Sequence, residues 1–481
     1  MLFVLTAYIS SSCEKEQISP ANQEVAFVKY YGHVGAQTAA DVIQTSDGGY
    51  VLLGSTNSYS TRQEMDILVI KTDSLGNEEW SSAFGRANVD RTVTNSDYLR
   101  FSEEGVRILE LPDQSAYVLA ANRTYFKYTS GSSPAGSGIK GQTKIVLYQL
   151  DPATGAPSLN DGVELEESTG ELYTEEVSDL KIDTAGGLFN YILTGYTTDI
   201  QANKPNDVDN GSLDKTDIFT ALLSDQFVIQ WMTSSLAYGF PRSDYGSSVQ
   251  ILDGGYLVCG TSEEKSFVNG QLVLLPRIIT VLMEKSGGTP LNVSYFTEAN
   301  HYFEGAHSVY DATNRVITIA SHLVSPGTSG KEGQIALLQI SENLAGITPN
   351  AAAPAFCRYY DLGNRSSETG GQHFAASIAL VPGNNGFILS STQKASEFES
   401  DLCVTKFDKD LNIEEGGWPY YFGYSDGLVL TQDEAGSIIP IISGTGNQIS
   451  VSGYVFTGKF GLGTNEMMGL VRLNLNGEFT P

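Results

Sequence analysis

Basic residues are scarce in this sequence. Among its 481 residues, 28 Lys and Arg stand against 56 Asp and Glu, and the formal net charge is −28. Nucleic-acid binding draws most of its affinity from cations that neutralise phosphates, so this balance argues against DNA or RNA as partners. The chain is nevertheless expected to fold, because 41% of its residues are hydrophobic and only 17% are charged, unlike a disordered acidic tail.

Cysteine and histidine are also few, with four and five residues respectively. Cys13, Cys259, Cys357 and Cys403 have no close spacing, so the sequence predicts neither a disulfide framework nor a zinc site. A disulfide between two of the last three cysteines is left open. The histidines show no pairing of metal-ligand type, and each is more typical of a hydrogen-bonded strand or loop histidine than of a ligand.

No hydrophobic run approaches the ~20 residues needed to span a bilayer. The sequence begins with an apolar run at residues 1–9, which is followed by three serines, Cys13 and then a polar stretch. This layout resembles the signal peptides of bacterial lipoproteins, which are cleaved before a lipid-modified cysteine. It implies a signal over residues 1–13 with lipidation at Cys13, and a tether over residues 14–25. The alternative is a short N-terminal strand with an ordinary buried cysteine.

Glycine is abundant, with 50 residues, and much of it falls in an internal repeat. The clearest copy combines an Asp-Gly-Gly-Tyr turn at residues 47–50, an alternating apolar run at 66–73, and Trp80 with Gly85. The aromatic and β-branched alternation predicts strands, and Asp-Gly-Gly and Leu-Gly-Asn are hairpin-turn signals. One unit is therefore predicted to be four antiparallel strands.

Seven copies of this unit follow one another with a mean period of about 66 residues. Their second strands are predicted to begin near Tyr50, Tyr117, Tyr191, Tyr256, Val316, Phe387 and Gln448. Four-stranded units without helices between them predict a seven-bladed β-propeller over residues 26–481. Residues 27–32 match the last strand of a unit, and the seventh unit lacks one, so this segment is expected to complete the last blade and close the ring. A β-solenoid or an array of sandwiches is the rival fold.

The repeat resembles the DGGY-type propeller repeats of secreted and lipid-anchored proteins of the Bacteroidota. The likeness is carried by residues 47–56, 66–73 and Trp80, and again by residues 253–261. It implies a cell-envelope propeller, and the acidic residues after Cys13 resemble the surface-export signal of such lipoproteins. The implied location is the outer membrane, either surface-exposed or periplasmic. The motif is turn and core chemistry, so it implies no activity.

Two histidines and three tyrosines are candidates for a ligand-binding site. His307 and His373 lie near the first strand of units five and six, and that strand lines the channel of a propeller, so the two histidines could lie close together and bind a ligand. Tyr125, Tyr128 and Tyr302 belong to aromatic segments near long loops, where rings stack on sugars or peptides. The alternative for the tyrosines is packing over blade edges.

The acidic loop at residues 206–214 is the best metal candidate. Its carboxylates Asp207, Asp209 and Asp214 surround a glycine turn, which suits the oxygen-rich coordination of calcium. The register is one residue short of the usual calcium loop, so a solvated loop is the alternative. No other cofactor is expected.

Two functions from different classes are compatible with the sequence. The first is a lipid-anchored, monomeric, non-catalytic scaffold that binds a glycan or a protein through the channel mouth or the long loops. The second is a glycoside hydrolase or lyase that uses carboxylates in the funnel. A cluster of two or three carboxylates beside an aromatic platform in the funnel would favour the enzyme, and an evenly polar or plugged funnel would count against it.

Overall fold

The chain forms a seven-bladed β-propeller in the computed structural model. The structure describes residues 26–58, 64–86, 98–128, 139–165, 173–184, 187, 189–199, 216–234, 243–268, 271–296, 301–324, 333–342, 356–363, 372–383, 385–396, 399–423, 431–444, 449–463 and 465–478. Within these residues there are 28 strands in seven separate four-stranded sheets, all with antiparallel pairing of neighbours. The predicted fold class is confirmed. No helix in the described part of the chain is long and apolar enough to cross a membrane.

Each blade except the last consists of four consecutive strands. Strand β1 (Phe27–Tyr31) comes before the first complete blade. Blade 1 contains β2 (Gln37–Gln44), β3 (Tyr50–Thr56), β4 (Asp66–Thr72) and β5 (Glu78–Phe84). Blade 2 contains β6 (Tyr98–Glu110), β7 (Tyr117–Tyr128), β8 (Ile139–Leu150) and β9 (Val163–Glu164). Blade 3 contains β10 (Tyr173–Asp183), β11 (Asn190–Asp199), β12 (Thr216–Leu223) and β13 (Ile229–Ser234).

The second half of the ring repeats this order. Blade 4 contains β14 (Ser243–Leu252), β15 (Gly255–Val268), β16 (Gln271–Met283) and β17 (Pro290–Phe296). Blade 5 contains β18 (Tyr302–Asp311), β19 (Val316–Val324), β20 (Ile335–Ser341) and β21 (Phe356–Tyr360). Blade 6 contains β22 (Gln372–Leu380), β23 (Phe387–Lys394), β24 (Ser400–Phe407) and β25 (Tyr420–Phe422). Blade 7 contains β26 (Glu434–Ser443), β27 (Ser450–Leu462) and β28 (Asn465–Leu473), with β1 as its fourth strand.

The predicted closure of the ring is confirmed. Strand β1 pairs with β28 from Phe27 opposite Arg472 to Tyr31 opposite Met468. The Tyr31 hydroxyl also donates to the carbonyl of Gly76 in blade 1 at 2.7 Å. The N-terminal strand therefore holds the last blade to the first, and covers the edge that β28 would otherwise expose.

The hydrophobic core is divided among the blade interfaces. Seven clusters of buried residues lie between adjacent blades, one at each interface around the ring. Alternation along a strand places successive side chains on opposite faces of a blade. Each blade thus contributes one face to the cluster before it and the other face to the cluster after it.

Turn chemistry explains the repeated Asp-Gly-Gly motif. In blade 1 the Asp47 carboxylate accepts from the Gly49 amide at 2.9 Å and forms an ion pair with Lys71 at 2.8 Å. Gly48 has a φ of +85°, where L side chains are rarely found. A Cβ on Gly49 would lie 2.2 Å from the carbonyl oxygen of Thr72. The two glycines are therefore required for different reasons, backbone torsion and close approach.

Aromatic residues on the outermost strands connect neighbouring blades. The Trp80 indole of blade 1 donates to the carbonyl of Pro152 in blade 2 at 3.2 Å, and Trp231 of blade 3 donates to that of Lys285 in blade 4 at 2.9 Å. Gly155 has a positive φ of 69° and lies beneath Trp80. The tryptophan and the glycine of the repeat thus belong to one contact between consecutive units.

The two faces of the propeller differ in their connections. Because strands alternate in direction, the link between the first and second strands and the link between the third and fourth lie on one face, called the turn face. The other links lie on the opposite face, called the loop face. Three of the longer connections, residues 85–97, 129–138 and 200–215, join strand ends of the loop face, whereas residues 342–355 join β20 to β21 on the turn face.

Candidate functional site

The centre of the ring is lined by the innermost strands β2, β6, β10, β14, β18, β22 and β26, each of which contacts the next one around the channel. All seven share an irregularity, since the pairing register with the second strand shifts at the same level in every blade. Such a β-bulge reorients the side chains beside it. The residues at this level form what we call the bulge ring: Asp41, Arg107, Asp179, Ser248, His307, Ser377 and Ser437.

Every member of the bulge ring is polar, and most bond to the main chain of the next blade. Asp41 accepts from the amide of Ile108 at 2.9 Å, and Asp179 accepts from that of Val249 at 2.9 Å. Ser437 accepts from the amide of Val42 at 2.7 Å. The remaining serines and His307 make equivalent bonds: Ser248 to the carbonyl of Ala306, Ser377 with the amide of Ile438, and His307 with the backbone of Ala375. A belt of polar bonds therefore joins the blades around the channel.

Arg107 is the member of the ring that forms an ion pair with a side chain of the next blade. Its Nε donates to Asp179 at 3.1 Å, and Nη1 lies 3.7 Å from Asp41. Burial opposes its charge, but Asp41 and Asp179 outweigh that effect and raise the pKa of Arg107. Burial raises the pKa of Asp41, and the field of Arg107 opposes this. The three groups form an ion triad that spans blades 1, 2 and 3.

A second polar level lies two residues further along blades 3 and 4. Lys181 donates from Nζ to the Gln250 amide oxygen at 2.7 Å, and Gln250 donates in turn to the carbonyl and hydroxyl of Ser308. Burial lowers the pKa of Lys181, while Asp179 acts to raise it and Arg107 to lower it. The lysine is therefore within electrostatic range of the ion triad.

His307 and His373 are both described by the structure, but they do not contact each other. His307 is in the bulge ring, where burial and Arg107 lower its pKa to about 4, so it is neutral at pH 7. His373 is completely buried between blades 5 and 6, with Nε2 2.7 Å from the carbonyl of Gly363 and Nδ1 3.3 Å from the Ser391 hydroxyl. Burial lowers its pKa as well.

Tyr125 belongs to an ion network in blade 2 near the loop face. Its hydroxyl donates to Glu164, which also accepts from Arg123 and, at 2.9 Å, from Arg86. Its ring packs edge-on against Phe101, with 5.1 Å between centroids. Burial and the neighbouring Glu164 raise the pKa of Tyr125 to about 12. These contacts hold the ring in place, and the side chain is half-buried.

The other proposed site residues fall at strand ends or outside the described residues. Tyr128 is the last residue of β7, and Tyr302 is the half-buried first residue of β18. Cys13 and the calcium candidates Asp207, Asp209 and Asp214 lie outside the described residues. In the part of the chain that is described, no group of three or more His, Cys, Asp or Glu side chains is arranged to hold a metal. Cys259, Cys357 and Cys403 are free thiols.

An open polar cleft lies on the loop face between blades 6 and 7. Its volume is about 540 Å³. Gln372 and Glu434, at the starts of the innermost strands β22 and β26, place it at the channel mouth. The charged groups of its lining are Lys394, Glu399 and Glu434, and Glu434 is held by Lys459 at 2.9 Å. The cleft thus offers charges of both signs beside amide and hydroxyl groups.

Most of the bulge ring was not predicted from the sequence. Of its members, only His307 was a candidate, because a histidine stands out in a strand. The signal that could identify the others is a polar residue at one recurring position, followed in most units by an apolar one, as in Asp41-Val42, Arg107-Ile108 and Asp179-Leu180.

No protein-family model and no curated protein matches the sequence. Among solved structures, the extracellular region of plexin A4 aligns with 92% of this chain and 40% of its own, at 9% identity and a TM-score of 0.41. A chimera of ACO and RPE65 aligns with 95% of this chain and 92% of its own, at 10% identity and a TM-score of 0.43. The chain spans about 40% of the plexin region. Neither likeness bears on what this chain binds.

Proposed function

We propose that the protein is a non-catalytic scaffold that binds a glycan or a protein partner on its loop face. The observation that carries the proposal is the state of the two carboxylates of the bulge ring. Asp41 accepts from the amides of Val42 and Ile108, and Asp179 accepts from those of Leu180 and Val249 as well as from Arg107. A glycosidase requires two carboxyl groups free to act on a sugar. At this level of the channel both carboxylates are part of the wall.

The loop face is the binding surface in this proposal. It combines the long connections with the polar cleft at the channel mouth, and function on rigid scaffolds is concentrated in such loops. Lys394 illustrates how the cleft is preorganised, since its Nζ lies 4.6 Å from the centroid of Phe374. A charged side chain already fixed in this way loses less conformational entropy when a ligand binds.

The scaffold role is tested by measuring binding and turnover with the same ligands. A polysaccharide and peptide array screened with the full chain is expected to give at least one ligand that is bound without being cleaved. Lys394→Ala and Glu434→Ala should weaken that binding, whereas Lys409→Ala, an exposed lysine in the turn between β24 and β25, should not. Cleavage of a bound polysaccharide would refute the non-catalytic proposal, and binding that is insensitive to both cleft variants would refute the location.

We also propose that the chain is a lipoprotein of the Bacteroidota cell envelope, anchored in the outer membrane through Cys13. Strand β1 begins at Phe27 on the turn face, where Phe27 packs against Gly76 in the turn between β4 and β5. A tether over residues 14–25 would therefore reach the propeller from the turn face. Its fully extended length is at most about 43 Å. In this proposal the turn face, where the tether joins the propeller, is the face nearer the membrane.

Two measurements test the lipid anchor and the side of the membrane on which the protein lies. Incorporation of radiolabelled lipid is expected in the wild type and should be lost in Cys13→Ala, whereas unchanged labelling would contradict lipidation. Protease treatment of intact cells distinguishes the two sides of the membrane, because full protection would exclude surface display.

A further inference from the structure

Four charged groups lie at and beside the bulge ring, and their exposure differs with the sign of the charge. The side chains of Asp41 and Asp179 are 10% and 8% exposed, and each carboxylate accepts two main-chain amides. The side chain of Arg107 is 21% exposed, which gives it the larger access to the channel. The anionic groups are therefore directed into the wall, while the cationic groups border the lumen.

Both cations retain hydrogen-bond donors that no described residue accepts. Arg107 makes one hydrogen bond, from Nε to Asp179, and the nearest carboxylate oxygen to Nη1 is 3.7 Å away, beyond hydrogen-bond distance. Neither Nη1 nor Nη2 is a buried, unsatisfied atom, so both reach solvent. Lys181 has three donors and makes one bond, to Gln250 at 2.7 Å. Asp179 and Lys181 are two residues apart on β10, so their side chains lie on the same face of the strand. Because Arg107 bonds to Asp179, the spare donors of the guanidinium and the ammonium lie on the same side of the wall.

The surroundings of these donors also favour an anion. His307 is within electrostatic range of Arg107 and Asp179 and is uncharged at pH 7, since burial lowers its pKa to about 4. Gln250 and Ser308 contribute neutral groups. An anion between Arg107 and Lys181 would supply the acceptors that their spare donors lack.

We propose that the central channel holds a small oxyanion, a carboxylate or a phosphate, between the Nη atoms of Arg107 and the Nζ of Lys181. Oxyanion recognition by arginine and lysine uses parallel charge-assisted bonds to the oxygens. The site does not depend on the loop-face function, because it lies inside the ring and uses different residues.

The test is isothermal titration of the full chain with inorganic phosphate and, separately, with acetate, at constant ionic strength. The wild type is expected to bind at least one of them with a 1:1 stoichiometry, and the arm that responds identifies the anion as phosphate or carboxylate. Lys181→Met should weaken binding by about tenfold or more, because a hydrogen bond to a charged group is lost. Arg315→Gln is the matched control, since Arg315 is a 64% exposed arginine paired with Glu342, and it should bind like the wild type.

The second measurement is the anion affinity of Arg107→Gln, determined together with the urea midpoint of this variant. If this variant fails to fold, Lys181→Met still decides the question, because Lys181 is outside the bulge ring. Arg107→Lys retains the charge and is expected to bind more weakly than the wild type but better than Arg107→Gln. Absence of binding for both anions, or equal affinity in the wild type and Lys181→Met, would overturn the proposal.

Discussion

Removal of Arg123 is expected to be among the most destabilising single substitutions in this chain. Its side chain is 1% exposed, and it donates to Glu103 at 2.7 Å, to the hydroxyl of Tyr148 at 2.8 Å and to the carbonyl of Asp161 at 2.7 Å, as well as to Glu164. In Arg123→Met the Glu103 carboxylate, also 1% exposed, would lose its cation. Breaking a buried ion pair from one side costs about 3–5 kcal/mol.

The assay is urea unfolding followed by tryptophan fluorescence, arranged as a double-mutant cycle. Arg123→Met alone should lower the free energy of unfolding by about 3–5 kcal/mol. The double variant with Glu103→Gln should lose less than the sum of the two single variants, by about 0.5–3 kcal/mol, because the substitution of Glu103 removes the unpaired charge. Arg315→Met is the control, and its exposed pair should contribute no more than about 1 kcal/mol.

Two results would refute this reasoning. A loss below about 1 kcal/mol in Arg123→Met would mean that water replaces the guanidinium without cost, as at a surface pair. Strict additivity in the cycle would mean that Glu103 and Arg123 contribute independently and that their 2.7 Å contact is not an energetic pair.

Three further predictions concern the ring and its turns. As the pH falls from about 6.5 to about 4, the unfolded chain binds protons at His307 and His322 that the folded chain does not, because burial lowers both pKa values to about 4. The free energy of unfolding, measured with urea, should therefore decrease by at most about 1.4 kcal/mol per pH unit and per histidine. An unchanged dependence on pH in His322→Gln would contradict this. Deletion of residues 1–31 removes β1 and exposes the edge of β28, so the product should self-associate in size-exclusion chromatography, and a monomer of wild-type melting temperature would show that closure is dispensable. Gly155→Ala should lower the melting temperature, because the position has a φ of +69° and an added Cβ would lie 2.3 Å from the Trp80 ring. Gly187→Ala is the control, since this position has a φ of +76° and an added Cβ would have no atom within 4 Å. It therefore measures the effect of the backbone torsion alone on stability.

The fold could be predicted from the sequence because its determinants are local and repeated. The Asp47 turn shows why, since the residues that specify it, Asp47, Gly48 and Gly49, are adjacent and their partner Lys71 is on the same blade. Closure was also predictable, because β1 repeats the pattern of the outermost strand of other blades. Both inferences depend on comparing one stretch of the chain with another, and neither requires knowledge of distant contacts.

The site could not be predicted in the same way. The bulge ring joins Asp41 to Ile108 and Asp179 to Val249, residues about seventy positions apart that come together only when neighbouring blades pack. Sequence reasoning selected residues by chemical type, which favoured histidines and exposed aromatic rings. Tyr125 shows the limit of that approach, because its hydroxyl and ring are engaged by Glu164 and Phe101, partners that no spacing in the sequence indicates.

The scarcity of basic residues has a different meaning once their positions are known. Of the 28 Lys and Arg in the sequence, Lys71, Arg100, Arg123, Arg277 and Lys459 are buried, and Arg107 and Lys181 border the channel. Ten Asp and Glu side chains are buried as well, so burial leaves the acidic excess of the composition on the outer surface. A partner that binds the loop face must therefore have a neutral or basic contact surface, or must bind Lys394 in the cleft. Raising the ionic strength should weaken the binding of a basic partner and leave the binding of a neutral glycan unaffected. This difference distinguishes the two classes of ligand before either is identified.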